Sequence, residues 1–189
     1  SRRRALVAVL LATFANYFTI TILTIALRPI TDYFDAHIAD AVWVTLGPLL
    51  TSGLLIPASG RLCDRWGRVP TFIAGAIVTT FGTIASAFAP SLVMLIAARV
   101  VTGVGFALAT PAGLALVTSL YEPSERHVPV GYWTMITALA PALGVLVGGL
   151  LIEHVSWRWL FIGQIPFGVA SLVLMRGMRF DAGVKDTRP

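Results

Sequence analysis

Six long apolar runs, with almost every charge falling between them, constrain this chain more than any other feature. They cover Ala5 to Leu27, about Val42 to Gly60, Pro70 to Ala89, Leu92 to about Leu120, Pro129 to Ile152, and about Trp159 to Met175. Crossing a bilayer core about 30 Å thick takes roughly 20 apolar residues of helix. The runs are continuous and lack the ten-residue alternation that builds a membrane barrel, so helices are expected, not strands. Composition agrees: 57% of residues are apolar and 12% charged. That is about half the charged share of a soluble domain, too little to cover a water-facing surface, and it excludes disorder as well. The expected fold is all-α and integral to the membrane, with a six-helix bundle over residues 1–180. Residues 181–189 read as a cytoplasmic linker or truncated end. The chain opens without Met and stops soon after a hydrophobic segment, as a piece of a longer protein would.

Orientation follows from the lysines and arginines. With the N-terminus inside, the cytoplasmic side collects Arg2, Arg3, Arg4, Arg61, Arg65, Arg68, Arg126, Arg176, Arg179, Lys185 and Arg188. The outer side has only Arg28 and Arg158, and Arg99 lies inside a run. Both termini are therefore expected in the cytoplasm of a plasma-membrane protein. Spread over membrane edges, this positive charge does not form a nucleic-acid-binding face, so no nucleic-acid partner is expected. The first run is about twice a secretory signal core and no small-x-small cleavage site follows it, so it reads as a span. Cys63 is the single cysteine, and His37, His127 and His154 fall in three different loops. No metal-ligand spacing or Ser/His/Asp arrangement can be assembled from these residues, so neither a cofactor nor an enzyme is expected.

Several residues inside or beside the runs are unusual for lipid-facing helix. Arg99 is the only charge deep in a run, about seven residues or roughly 10 Å from its outer end. A buried intramembrane Arg costs several kcal/mol unless it finds water, an acid or carbonyl groups. It reads either as a structural group on the carbonyls of a kinked helix or as a gate or coupling residue, and Gly103 lies one turn on. Asn16, Tyr17, Thr19 and Thr21 read as cavity-lining groups or as interhelical hydrogen-bonding groups. In the fifth run, Gly144 and Gly148 share a face that admits a close neighbour, Gly149 follows, and Pro141 is expected to bend the helix. Pro48, Pro57 and Pro111 read as kinks, and Trp43, Trp133, Trp157 and Trp159 as interfacial anchors.

The sharpest local pattern is Gly60-Arg61-Leu62-Cys63-Asp64-Arg65-Trp66-Gly67-Arg68, read as the loop after the second helix. Gly60 permits close backbone approach and Gly67 the positive φ of a tight turn. Asp64 among Arg61, Arg65 and Arg68 predicts an ion-pair cluster at a helix end. The fifth run ends in a similar Gly149-Leu-Leu151-Ile-Glu153, on the opposite side of the membrane. Two inverted three-helix repeats would produce such a match.

The Gly60–Arg68 pattern resembles the signature loop of the major facilitator superfamily, Gly-x-Leu-x-Asp-Arg-x-Gly-Arg. The resemblance implies that Gly60, Asp64, Arg65, Gly67 and Arg68 form a conformational latch between this half and another. Leu95-x-x-x-Arg99-x-x-Thr102-Gly103 is similar to the family's Arg-x-x-Gln-Gly motif, with Thr102 in place of Gln, and implies that Arg99 faces the central cavity. Trp157-Arg158-Trp159-Leu160-Phe161 with Gln164, Pro166 and Gly168 resembles the sixth helix of the fourteen-helix drug:proton antiporter branch, which usually has Asn at Gln164. Pro141 to Gly149 is similar to that branch's Gly-x-x-x-Gly-Pro-x-x-Gly-Gly, with Ala140 replacing its first Gly and Val145 its Pro. Thr19 to Pro29 aligns with Asp-x-Thr-x-x-Asn-x-Ala-Leu-Pro, where Thr19 takes the Asp position and Thr24 the Asn. Thr cannot titrate near neutral pH, so proton coupling through this half loses its obvious carrier.

The expected function is small-molecule transport by alternating access, in drug or metabolite efflux, with this chain as the N-terminal half. The partners implied are the lipid bilayer, a small-molecule substrate, a C-terminal half of six to eight helices, and protons if coupling survives the Thr19 departure. The competing expectation is a stand-alone six-helix protein that self-associates through the Gly144/Gly148 face, or a non-transporting scaffold.

Overall fold

A computed structural model describes residues 2–152 and 154–176 of the chain. Glu153, Arg179, Lys185 and Arg188, with the 181–189 linker, lie outside the described residues. Among the described residues eight helices are formed: α1 (Arg2–Phe34), α2 (Ile38–Ala41), α3 (Trp43–Trp66), α4 (Arg68–Ala87), α5 (Leu92–Ser119), α6 (His127–Ile152), α7 (Arg158–Ile162) and α8 (Ile165–Met175). They make six segments long and apolar enough to cross a membrane, the second from α2 and α3 and the sixth from α7 and α8.

The main packing pairs are the first span with the fifth and sixth, the fourth with the second and third, and the third with the sixth. Exchanging spans one to three with spans four to six, in order, maps this set of pairs onto itself. Short connections make successive spans cross in opposite directions, so the second set of three is inverted relative to the first. The inverted repeat read from Gly60 and Gly149 is thus present in the packing.

Small residues set the helix separations, since lipid supplies no hydrophobic drive for helices to associate and close van der Waals packing must do so. At the α4–α5 contact, a Cβ added to Gly75 would lie 2.8 Å from the Gly105 carbonyl, and one on Gly82 would lie 2.6 Å from the Thr102 hydroxyl. At the α1–α6 contact, a Cβ on Gly144 would lie 3.0 Å from the Phe18 carbonyl and one on Gly148 2.6 Å from Ile22 Cγ1. The Gly144/Gly148 face is therefore used inside the bundle, against α1. It is not the open surface that self-association required. Gly149 points to open space.

Four expectations need correction. The second span does not end at Gly60 but runs to Trp66, so the signature pattern is mostly helix, and Gly67 (φ 94°) alone makes the turn into α4. Gly60 has nothing within 4 Å of an added Cβ, so it is the site of no close approach among the described residues. Asp64, Arg61, Arg65 and Arg68 are exposed, and no ion pair within 4.0 Å joins them. Exposed charges at a wet helix end gain little by pairing. Trp157 is buried, 3% exposed, so its ring packs on protein and not on lipid; it lies against Tyr33, Phe34 and Phe161.

The sixth span breaks at Gly163 and Gln164, just before Pro166 near the start of α8. Proline has no N–H to continue the ladder across this point. The Gln164 N–H turns to the Phe161 carbonyl at 3.0 Å, and its side-chain Nε2 donates to the Leu160 carbonyl at 2.8 Å.

Candidate functional site

One recess in the bundle gathers polar groups from α1, α3 and α5. Asn16 and Thr19 come from α1, Thr45 and Ser52 from α3, and Arg99 and Thr102 from α5. Pro48, Gly103 and Phe106 complete the wall among apolar neighbours. Its volume is about 30 Å³, room for a few waters at most.

The geometry of the recess starts from a proline. Pro48 in α3 lacks the N–H that would serve the carbonyl four residues back, that of Val44. Arg99 Nε donates to that Val44 carbonyl at 3.4 Å. The approach is possible because Gly103, one turn after Arg99, lies against Pro48, one turn after Val44. A Cβ on Gly103 would lie 2.6 Å from the Pro48 carbonyl and 2.7 Å from its Cα. The second and fourth spans run in the same direction, so Val44-x-x-x-Pro48 and Arg99-x-x-x-Gly103 sit in register. Pro48 releases an acceptor, Gly103 removes the obstacle, and Arg99 reaches across.

That arrangement does not saturate the guanidinium. Arg99 is 2% exposed, its bond to Val44 is long for N–H···O, and its carbon lies 5.8 Å from the centroid of the Phe161 ring. Its Nη1 is buried without a hydrogen-bond partner among the described residues, and so is the Thr45 hydroxyl. Among the described residues no buried carboxylate compensates the charge: Asp32, Asp35, Asp40, Asp64, Glu122 and Glu125 are all exposed.

Beside the recess, the Thr19 hydroxyl lies against Gln164 Oε1 and 2.7 Å from the Ala15 carbonyl. A hydroxyl has one proton, so it serves one of these acceptors at a time. Thr19 thus both lines the recess and ties α1 to the break in the sixth span. The remaining polar groups are quieter: Thr102 donates to Ala98 at 2.9 Å and Ser52 to Leu49 at 2.9 Å, each within its own helix.

The structure therefore brings together Asn16, Thr19, Arg99 and Gly103 from the residues singled out by sequence. Tyr17 stands one step off, its ring edge-on to Phe106 at 5.7 Å. Thr21 does not line the recess; its Cβ faces Gly144. Pro141 and the residues from Gly60 to Arg68 lie elsewhere. Thr45 and Ser52 were missed; Pro48 was read only as a kink, although any helical proline leaves a carbonyl without its usual partner, and Thr102 and Gln164 only as motif positions.

Comparison with known proteins bears on the fold and the family. The chain is 33% identical over 182 residues to the lincomycin resistance protein LmrB of Bacillus subtilis (strain 168), covering 96% of this chain and 38% of that protein. It is 32% identical over 153 residues to the tetracenomycin C resistance and export protein of Streptomyces glaucescens, covering 81% and 28%. The fold matches a bacterial homolog of the human lysosomal transporter Spinster, in an inward-facing and occupied conformation, with a TM-score of 0.81 at 24% identity, covering 94% of this chain and 44% of that one. The chain thus spans less than half the length of the relatives it matches. Residues 9–189 match the Major Facilitator Superfamily, and the chain belongs to that family.

Proposed function

We propose that this chain is the N-terminal half of a transporter that exports small molecules by alternating access, with drugs or secondary metabolites as substrates. The observation that carries the reading is the polar recess around Arg99. A bundle of apolar helices keeps a desolvated guanidinium, four hydroxyls and an amide around one recess, which lipid packing alone would not favour. Family membership supports it, as do relatives whose names record resistance and export. The substrate path runs along the recess face of α1, α3 and α5, and a second bundle forms the opposite wall. Asp64, Arg65 and Arg68 are exposed and would meet that bundle as a latch, with Gly60 half-buried and Gly67 buried at the turn behind them. The distribution of arginines puts both termini in the cytoplasm. Protons, if they drive transport, are carried by groups outside this recess, because Thr19 holds the place where a carboxylate would titrate.

The test uses the full-length protein in a host lacking its own efflux pumps. Expression should raise resistance to lincomycin, tetracenomycin C or both, and energised proteoliposomes should move the same compound. Residues 1–189 alone should show no flux above empty vesicles. A correctly inserted full-length protein that moves no compound, or a half that transports unaided, would contradict the reading.

A further inference from the structure

We propose that the recess is an oxyanion subsite, in which Arg99 and Thr45 hold the carboxylate of an amphipathic organic acid carried as substrate. The proposal deepens the transport reading and rests on it. Three observations carry it. Arg99 is almost fully buried, yet its Nη1 has no hydrogen-bond partner among the described residues. The Thr45 hydroxyl on the same wall is also buried and unsatisfied. And every described carboxylate is exposed, so none of the described residues gives Arg99 a buried counter-charge.

A guanidinium is planar, stays charged when buried, and offers five N–H donors in a fork that fits a carboxylate. Nε is committed to the Val44 carbonyl, which fixes the plane and leaves the outer nitrogens for a ligand. The Thr45 O–H adds a donor to the same oxygens. Phe106 and Leu49 give the recess an apolar flank, suited to the hydrocarbon part of the same molecule. A cation here would meet an uncompensated positive charge at short range, so the recess selects against it.

The experiment measures binding to the full-length protein in detergent with three fluorescent probes of similar bulk: 1-pyrenebutyrate, 1-pyrenebutanol and 1-pyrenemethylamine. The parental protein should bind 1-pyrenebutyrate at least about tenfold tighter than the amine, the scale of one charge-assisted contact. Arg99→Gln should weaken 1-pyrenebutyrate about ten- to a hundredfold and leave 1-pyrenebutanol within about twofold. Arg99→Lys should recover part of the loss, since it restores the charge without the fork. Thr45→Val, which keeps side-chain shape, should weaken 1-pyrenebutyrate about threefold or more and serves as the test if Arg99→Gln does not fold.

Equal weakening of all three probes would mean that Arg99 only supports the helices, and would overturn the proposal. So would a parental preference for the amine, or no binding of 1-pyrenebutyrate at all. Equal affinity of the parental and Arg99→Gln proteins for 1-pyrenebutyrate would also overturn it, because the guanidinium would then be occupied by a carboxylate from elsewhere in the protein. Efflux without Arg99-dependent carboxylate preference removes this subsite alone. Carboxylate preference in a protein that moves no solute removes the transport reading alone.

Discussion

Arg99 and Arg158 are the two arginines drawn into the described bundle, every other one being exposed, and they are held in opposite ways. Arg158 sits where the end of the first span, the end of the third and the start of the sixth meet. Its Nη2 donates to the Ala89 carbonyl at 3.0 Å and the Tyr33 hydroxyl at 3.2 Å. Its guanidinium carbon lies 5.1 Å from the Tyr33 ring centroid and 5.2 Å from that of Trp157. Its Nε is buried without a partner among the described residues. Arg99 has one long bond, one distant ring and a wall of donors around it. Arg158 spends its chemistry on joining helix ends, whereas Arg99 is oriented and then left with capacity to spare. Burial alone therefore does not identify a functional charge in a membrane bundle; the number of contacts it already satisfies does.

The harshest way to break this contrast is to move α5 off α3. Gly103→Val would drive a side chain into the Pro48 backbone and should cost about 3 kcal/mol or more, the upper range of overpacking. In a thermal unfolding scan of the full-length protein, it should also abolish substrate flux. Arg99→Gln should lower flux about a hundredfold while Tm stays within a few degrees of the parent, because little of the guanidinium's bonding is structural. Arg158→Gln should do the reverse, removing two hydrogen bonds and two cation–π contacts for about 1–3 kcal/mol with flux per folded molecule largely retained.

Two gentler changes sharpen the comparison. Thr19→Val removes the hydroxyl that ties α1 to Gln164 and should cost about 1 kcal/mol, in keeping with hydrogen bonds between membrane helices. Thr19→Asp, by contrast, would supply the missing titratable group beside the recess, and gain of cationic-drug efflux by that variant would show that the carboxylate's absence limits the substrate range. At the small end, Gly149→Ala meets nothing within 4 Å and should shift stability by no more than about 0.5 kcal/mol.

Much of the bundle was legible because lipid imposes a long-range pattern on sequence. Six apolar runs, the lone deep charge at Arg99 and the Gly144/Gly148 pair were all readable, since each is a property of one helix. What escaped was cooperation between helices far apart in the chain. The Arg99 bond to Val44 and the Thr19 contact with Gln164 join residues with no common periodicity. The helix through Asp64 to Trp66 was hidden because charged residues at a membrane edge look like loop when hydropathy is the guide. Trp157 was misjudged for a related reason: position near a boundary suggested an anchor, and only packing against Tyr33, Phe34 and Phe161 shows it as core.

The central claim is that Arg99 is held ready for a ligand and Arg158 is held for structure. Its most direct test is paired measurement on the full-length protein, with flux in proteoliposomes and Tm recorded for Arg99→Gln and Arg158→Gln side by side. The account predicts that Arg99→Gln loses flux and keeps Tm, while Arg158→Gln loses Tm and keeps flux per folded molecule. An Arg99→Gln protein that transports at the parental rate, or that loses flux only in proportion to its loss of folded protein, would contradict it.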